Sequence, residues 1–194
     1  MEQRGIQRLS GCQDVLAEEV AVRDVVSAGL RSLLALHGYR SVETPVLERA
    51  DLYLRKSGGE MAARLLAMSD PGGERVSPRP EFTASVIRAY VEREAELPLP
   101  VRWQYAGPVF RAYPAEGSPV TQFTQIGAEM IGSASPRADA EVVGIACRGL
   151  ADAGLREYRL VVGHVGVLSG ILEAMGLSDR AAMFLLGSTG RLRE

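Results

Sequence analysis

The sequence predicts an α+β fold in which a mostly antiparallel sheet is flanked by helices. Residues 107–132 have the form of a strand, a hairpin loop and a second strand. Helical apolar patterns lie on both sides of this hairpin. Only one strand-to-helix crossover is predicted, late in the chain near residue 163, so a doubly wound parallel sheet is disfavoured.

Composition sets modest bounds on function. The 194 residues fit one domain, or one domain plus a small appendage, and residues 1–10 are predicted to be a mobile lead-in. The formal net charge of −2 gives no electrostatic sign of nucleic-acid binding. No apolar run reaches the length of a membrane span. Cys12 and Cys147 are far apart, so we predict no zinc site, no disulfide and no cofactor, and a cytoplasmic location.

The first half of the chain alternates helical and extended patterns. Apolar residues at three- and four-residue steps predict a helix over 15–37, with Asp14 as N-cap and Gly38 just past its end. An extended segment follows, in which Pro45 indicates an edge, a bend or an interface. The next elements are a helix over 51–68 and a turn at 70–73 between two short strands.

The second half continues this alternation. The helix that follows Pro80 is predicted to bury Val86, Ile87, Tyr90 and Val91. The remaining predicted elements are strands over 101–105 and 158–162 beside the hairpin, and helices over 137–153 and 165–175. The glycines of 163–170 lack the dinucleotide-binding spacing, and 187–191 lacks the lysine of a phosphate loop, so both nucleotide motifs are rejected.

Polar residues follow one face of the second hairpin strand. Alternation places Gln125, Gly127 and Glu129 on this face, while Ile126, Ala128 and Met130 point into the core. An amide, a gap and a carboxylate in a row suit a small zwitterion with an amino group. A solvated outer face fits the same alternation equally well.

Two further polar positions have simple structural interpretations. Glu81 and Thr83 lie where a strand gives way to a helix, and acidic or hydroxyl residues are common in a first helical turn. Arg111 can be a plain cross-strand partner. Composition and spacing alone leave these alternatives open.

Several segments together resemble a known family. In order, they are 38–48, 79–84, 107–111, 122–132 and 138–143. Through them, residues 11 to about 179 resemble the catalytic core of class II histidyl-tRNA synthetases and their paralogues. The resemblance implies an antiparallel sheet flanked by helices, of which residues 11–194 form a partial version. It also implies a self-dimer around the segment that ends in Pro45.

The resemblance further implies a histidine pocket. Its residues are Glu81, Thr83, Gln125 and Glu129, with Arg111 at the position that meets the amino acid's carboxylate and the α-phosphate of ATP. The chemistry fits, because carboxylates hold an ammonium group and an arginine grips a carboxylate. His164, in a strand–helix junction similar to that of one paralogue, is assigned no role.

Departures from the synthetase pattern guide the functional prediction. Tyr113 stands where synthetases have an acidic residue that helps hold adenine, and residues 114–121 contain no Lys or Arg. Phosphoryl chemistry needs positive charge against the phosphates. Synthetase segments that follow later are not found in these 194 residues, which suggests an incomplete core with one open sheet edge.

The sequence therefore predicts a non-catalytic subunit that is similar to the regulatory subunit of ATP phosphoribosyltransferase. That resemblance implies a hetero-oligomer with the short-form catalytic subunit at the first step of histidine biosynthesis, and feedback by L-histidine. One alternative is a histidyl-tRNA synthetase or an N-terminal fragment of its catalytic domain. Another is an RNA-binding or scaffold remnant, for which no basic patch is found.

Overall fold

The computed structural model describes residues 6–56, 64–112, 120–178, 181–182 and 184–185. The chain folds into two compact units, Met1–Leu155 and Arg156–Glu194. The hairpin and all five predicted site residues belong to the first unit. Each unit is described by itself below.

Helix α1 (Ala17–Leu36) opens the first unit. It begins after Leu16, so the prediction of Asp14 as N-cap was wrong. Its end was predicted correctly. Gly38 has φ +80°, a conformation that favours glycine, and its N–H donates to Ala35 O at 3.0 Å. The chain therefore leaves the helix and enters strand β1 (Arg40–Ser41).

The further strands of this unit are β2 (Leu47–Arg49), β3 (Met68–Ser69), β4 (Arg75–Pro78), β5 (Val101–Arg111) and β6 (Thr121–Ile131). Within the described residues, the strands form two three-stranded sheets. In the first sheet the order is β1-β5-β6, with β1 parallel to β5 and β5 antiparallel to β6. In the second sheet the order is β2-β4-β3 and both pairings are antiparallel. The mostly antiparallel prediction is thus confirmed.

Helices pack on both faces of the β5–β6 hairpin, with residues of α1 on one face and Val86 on the other. After α1, the helices described in this unit are α2 (Ala50–Lys56), α3 (Thr83–Val91), a short 3₁₀ helix (Glu94–Glu96) and α4 (Pro136–Asp152). Helix α4 begins as its sequence predicts, because Ser135 accepts a hydrogen bond from Ala138 N–H at 3.3 Å and Pro136 takes the first position. Gly149 lets α4 approach α1, since a Cβ there would lie 2.6 Å from Leu30 Cδ2.

The two hairpin faces bury different clusters. On one face Tyr105 and Val109 of β5 pack with Phe82 and Val86, the residues at and just after the start of α3. On the other face Ala128 and Met130 of β6 pack against a cluster of Leu34, Tyr39 and Ile145 from the α1–α4 side. The predicted inward direction of Ala128 and Met130 is therefore confirmed, and Ile126 lines an adjoining cavity.

The central residues of the cluster on the α3 face are almost completely buried. Phe82 is 1% exposed, and Val86 and Val109 are fully buried. Burial of each such side chain contributes roughly 1.5–3 kcal/mol relative to exposure, so these residues fix α3 against the hairpin. The N-terminus of α3 is thereby held beside β5 and β6.

The predicted helix over 51–68 is too long. Helix α2 ends at Lys56, residues 57–63 lie outside the described residues, and Met68 belongs to strand β3. The reason is that Met68 pairs with Val76 of β4, a contact that local periodicity does not reveal. The predicted turn at 70–73 is confirmed, with Gly73 N–H donating to Asp70 O at 3.0 Å.

The buried stripe of α3 is narrower than predicted. Val86 is fully buried and Tyr90 is half-buried, but Ile87 and Val91 are 38% and 57% exposed. For these two residues the prediction was wrong. Helix α3 packs along one narrow face, and a single step of 100° around the helix takes Ile87 away from it.

The second unit contains helix α5 (Val165–Ala174), close to the predicted 165–175. The prediction of a strand over Tyr158–Val162 was wrong, because residues 158–162 form neither strand nor helix in the structure. A strand needs a neighbouring strand for its backbone hydrogen bonds. His164 is the N-cap of α5, where its Nδ1 accepts from Val167 N–H at 3.3 Å. None of the helices in the described ranges is long and apolar enough to span a membrane.

Candidate functional site

The predicted polar face of β6 lies against the N-terminus of α3. Register pairs Glu129 with Trp103, Gly127 with Tyr105 and Gln125 with Gly107. Residues directly opposite each other in an antiparallel pair share a face. Glu129, Gly127 and Gln125 therefore point toward the side on which Tyr105 meets Phe82, as the alternation predicted.

Glu129 is the centre of the hydrogen-bonded cluster. Thr83 Oγ1 donates to Glu129 Oε1 at 2.7 Å, and Tyr105 Oη donates to the same oxygen at 3.1 Å. The structure thus brings together two predicted residues that are 46 positions apart. The interpretation of Glu129 as a side chain on a merely solvated outer face is not supported by this geometry.

Tyr105 is the residue that sequence reasoning missed. Burial raises the pKa of its hydroxyl above the usual tyrosine value, and the negative charge of Glu129 raises this pKa further. The hydroxyl therefore remains a donor at all ordinary pH values. The available signal was its position in the hairpin, where an aromatic residue faces a glycine, Gly127, across the strands.

Gly127 leaves space for this tyrosine. A Cβ at position 127 would lie 2.5 Å from Tyr105 Oη and 2.7 Å from two ring carbons. The gap expected between Gln125 and Glu129 is thus filled by a protein side chain. On this face of β6, Tyr105 therefore lies between Gln125 and Glu129, where the sequence predicted open space at Gly127.

Glu81 and Gln125 provide further acceptors on the α3 side of the hairpin. Glu81 Oε1 accepts from Ala84 N–H at 2.9 Å, so the simple helix-start interpretation holds for one of its oxygens. The negative charge of Glu81 makes a further, smaller contribution to the raised pKa of Tyr105. Gln125 Oε1 is buried and has no hydrogen-bond partner among the described residues. Such an acceptor is costly unless a donor reaches it.

Arg111 lies at the end of β5 and is tied to the backbone. Its Nε donates to Pro80 O at 2.9 Å, and its guanidinium carbon is 4.9 Å from the ring centre of Phe123. Within the described ranges Arg111 forms no ion pair. The interpretation of Arg111 as a cross-strand ion-pair partner is therefore not supported. The structure gives no direct contact between Arg111 and Glu129.

Arg79 packs on Phe82, the residue that precedes Thr83. Its guanidinium lies 3.8 Å from the ring centre of Phe82 and donates to Pro108 O at 3.0 Å and Thr44 O at 2.8 Å. Burial lowers the pKa of this guanidinium from its ordinary value. These bonds join β5 to the extended segment that contains Pro45, whose carbonyl is 3.4 Å from Arg79 Nη1. A self-dimer at Pro45 remains a prediction.

A cavity of about 190 Å³ lies on the opposite face of the hairpin. Its walls are mainly apolar residues of α1, α4 and β6, among them Leu33, Ile126 and Ile145. None of the five predicted site residues lines it. The polar cluster around Glu129 is therefore the better candidate site for a charged ligand. The hairpin loop, including Tyr113 and most of 114–121, lies outside the described residues.

The site lies in a region of the chain that matches a known protein family. A family model described as histidyl-tRNA synthetase matches residues 11–188. The chain belongs to the histidyl-tRNA synthetase family. The class II synthetase-like fold implied by the sequence segments is thereby confirmed, and the Glu129 cluster lies within the matched region.

Curated relatives in this family are about twice as long as the chain. It is 36% identical over 193 residues to a histidine–tRNA ligase of Methanocorpusculum labreanum, covering 95% of this chain and 47% of the relative. It is also 36% identical over 173 residues to that of Methanocaldococcus jannaschii, covering 89% and 41%. The chain therefore spans less than half the length of these relatives.

Solved structures of the histidyl-tRNA synthetase family give the same picture. One similar structure, from Bacillus halodurans, is described as an ATP phosphoribosyltransferase regulatory subunit/histidyl-tRNA synthetase. It matches with a TM-score of 0.83 at 28% identity and covers 92% of this chain and 46% of that one. A histidine–tRNA ligase subunit of Alicyclobacillus acidocaldarius matches with a TM-score of 0.77 at 31% identity, covering 94% and 52%.

Proposed function

We propose that this chain binds L-histidine at the Glu129 cluster and acts as a non-catalytic regulatory subunit of ATP phosphoribosyltransferase. The observation that carries the binding proposal is the arrangement of acceptors on one hairpin face. Glu129 is oriented by two hydroxyl donors, and Gln125 Oε1 is buried without a donor from the described residues.

The ligand chemistry follows from these acceptors. Glu129, Glu81 and Gln125 together suit a ligand rich in N–H donors and positive charge, such as the ammonium and imidazole groups of histidine. Arg111 uses Nε for Pro80 O, and a guanidinium has four further N–H donors with which to meet the ligand's carboxylate. The acceptors thus suit the ammonium group of a zwitterion, and Arg111 suits its carboxylate.

The regulatory part of the proposal is supported by sequence and by one neighbour. The hairpin loop 114–121 contains Glu116 but no Lys or Arg, and Tyr113 replaces the acidic residue expected beside adenine. A loop of this composition cannot neutralise ATP phosphates. The Bacillus halodurans neighbour is described partly as a regulatory subunit. By analogy, the partner would be a short-form ATP phosphoribosyltransferase catalytic subunit.

Calorimetry with L-histidine tests the binding proposal. We expect histidine to bind the wild type and to bind Glu129→Gln at least tenfold more weakly, since a charged hydrogen bond is replaced by a neutral one. Glu74→Gln serves as the control because Glu74 immediately precedes β4 of the other sheet and forms an ion pair with exposed Arg49. Absence of histidine binding, or equal affinity of wild type and Glu129→Gln, would contradict the proposal.

The regulatory role needs a separate measurement. We expect the chain to co-purify with the short-form catalytic subunit of the same genome and to raise its phosphoribosyltransferase activity on mixing. Added histidine should lower that activity. No association at micromolar concentration would refute the regulatory role and leave the histidine site standing.

A second candidate function is amino-acid activation as part of a histidine–tRNA ligase. It is favoured by the names of the curated relatives, which are 36% identical to this chain. The two candidates differ in ATP chemistry, because an activating domain catalyses histidine-dependent exchange of pyrophosphate into ATP. We expect no exchange above background; exchange that requires histidine would favour the ligase.

A further inference from the structure

We infer that Tyr105 is a positioning residue of the histidine site, because its hydroxyl acts with Thr83 to fix which oxygen of Glu129 faces the ligand. This inference rests on the proposed function. It goes beyond the residues that the sequence pointed to, none of which was Tyr105. It also means that Gly127 leaves space for Tyr105 and not for the ligand.

The first step of the argument is the saturation of one carboxylate oxygen. Thr83 and Tyr105 both donate to Glu129 Oε1, at 2.7 and 3.1 Å. A carboxylate oxygen has two lone-pair directions, so these two donors occupy Oε1. The structure gives Oε2 no hydrogen-bond partner among the described residues. The carboxylate therefore presents Oε2 to a ligand and cannot rotate without losing two hydrogen bonds.

The second step is the rigidity of the tyrosine itself. Its ring stacks on Phe82 with centroids 4.4 Å apart and planes 9° apart, and Arg79 covers the ring of Phe82. Tyr105 is 6% exposed and Phe82 is 1% exposed. A hydroxyl held by packed rings keeps a constant position, which is what a positioning donor requires.

The third step is the requirement for glycine opposite the tyrosine. The hydroxyl and ring edge lie where a Cβ of residue 127 would be, at 2.5 and 2.7 Å. Any larger residue at position 127 displaces Tyr105 and with it one donor to Glu129. Gly127 thus serves the orientation of the carboxylate.

Removal of the hydroxyl alone tests this inference. Tyr105→Phe keeps the stacked ring, and we expect it to weaken histidine binding about tenfold, the value of one hydrogen bond to a charged acceptor. In a Glu129→Gln background the acceptor is neutral and the bond about half as strong, so Tyr105→Phe should weaken binding only about threefold.

Tyr53→Phe is the matched control. It removes another buried tyrosine hydroxyl, which lies 3.0 Å from Ser85 Oγ, and should leave histidine affinity unchanged in both backgrounds. Urea midpoints confirm that each variant is folded. If Tyr105→Phe does not fold, Gly127→Ala addresses the same hydroxyl from the other strand.

The outcomes separate this inference from the proposed function. Failure of the wild type to bind histidine overturns the proposed function and this inference with it. If the wild type binds and Tyr105→Phe binds equally well, only the positioning role is overturned. An equal tenfold loss with Glu and with Gln at position 129 also overturns it, because Tyr105 would then act independently of the carboxylate. The smaller loss in the Gln background supports it.

Discussion

The rings of Phe82 and Tyr105 stack 4.4 Å apart, and this contact joins the start of α3 to the middle of β5. Phe82 immediately precedes Thr83, and Tyr105 lies opposite Gly127. The same pair of rings therefore brings both hydroxyl donors to Glu129. Stability of the core and geometry of the site depend on one aromatic contact.

Phe82→Ala should lower the free energy of unfolding by about 3–5 kcal/mol, as expected for a buried aromatic residue. It should also abolish measurable histidine binding, since Tyr105 loses its support. Urea denaturation and calorimetry measure the two effects. Phe123→Ala is the control, because Phe123 is 40% exposed and its loss should cost about 1 kcal/mol or less. Similar costs at both positions would contradict the assigned packing.

Gly127→Ala should destabilise the protein by about 1–3 kcal/mol, because the new Cβ overlaps Tyr105. Gly144→Ala provides the matched control on helix α4, where a Cβ meets nothing within 4 Å. That change should stabilise the protein by roughly 0.5–1 kcal/mol through helix propensity. Thermal unfolding of both variants checks the opposite signs; a neutral Gly127→Ala would count against the close approach.

The ion pair of Arg102 and Glu141 predicts a pH dependence. Both guanidinium contacts are 3.1 Å long, and the hydrogen bonds from Arg102 hold the pKa of Glu141 below its usual value. A carboxyl whose pKa is depressed on folding stabilises the protein above its unfolded pKa of about 4.3 and loses that contribution as the pH falls through the folded value. At pH 7 the free energy of unfolding of the wild type should exceed that of Glu141→Gln by up to about 1 kcal/mol.

Urea titrations at pH 7 and pH 2.5 measure this difference. We expect the advantage of wild type over Glu141→Gln to shrink below pH 4 and to be small at pH 2.5. An advantage that is the same at both pH values would show that Glu141 stabilises the fold by packing, without the charge.

Glu48 and Glu92 make unequal contacts with the same arginine. Arg88 Nη2 lies 2.6 Å from Glu48 Oε1, and the Glu48 side chain is 9% exposed; the contact with Glu92 is 2.9 Å long and Glu92 is 60% exposed. Glu48→Ala should lower the free energy of unfolding by about 3 kcal/mol, because it leaves a half-buried guanidinium with a single exposed partner. Glu92→Ala should cost about 0.5 kcal/mol or less. Equal costs would mean that burial of Glu48 does not matter.

Much of the hairpin followed from its sequence. Alternation assigned Gln125 and Glu129 to one face and Ala128 and Met130 to the other, and the strand register confirms it. The glycine that ends α1 and the turn at 70–73 were also predicted correctly. These features depend on backbone geometry within a few residues, which local sequence specifies.

Other elements depended on distant partners. The predicted helix over 51–68 overran into β3 because Met68 pairs with Val76, and the predicted strand over Tyr158–Val162 has no neighbouring strand in its unit's described residues. Ile87 and Val91 have apolar side chains at helical spacing but face solvent. An apolar side chain can be buried, but whether it is buried depends on whether another element packs against it.

The sequence by itself determined the family, the hairpin and the face on which Glu129 lies, because periods of two and 3.6 residues and ordered motifs are local properties. Only the tertiary structure decided that Thr83 and Tyr105 meet on one oxygen of that carboxylate and that Tyr105 occupies the space over Gly127. The two hydrogen bonds join residues 46 and 24 positions apart, and their geometry arises from the packing of α3 against the hairpin, which no local pattern encodes.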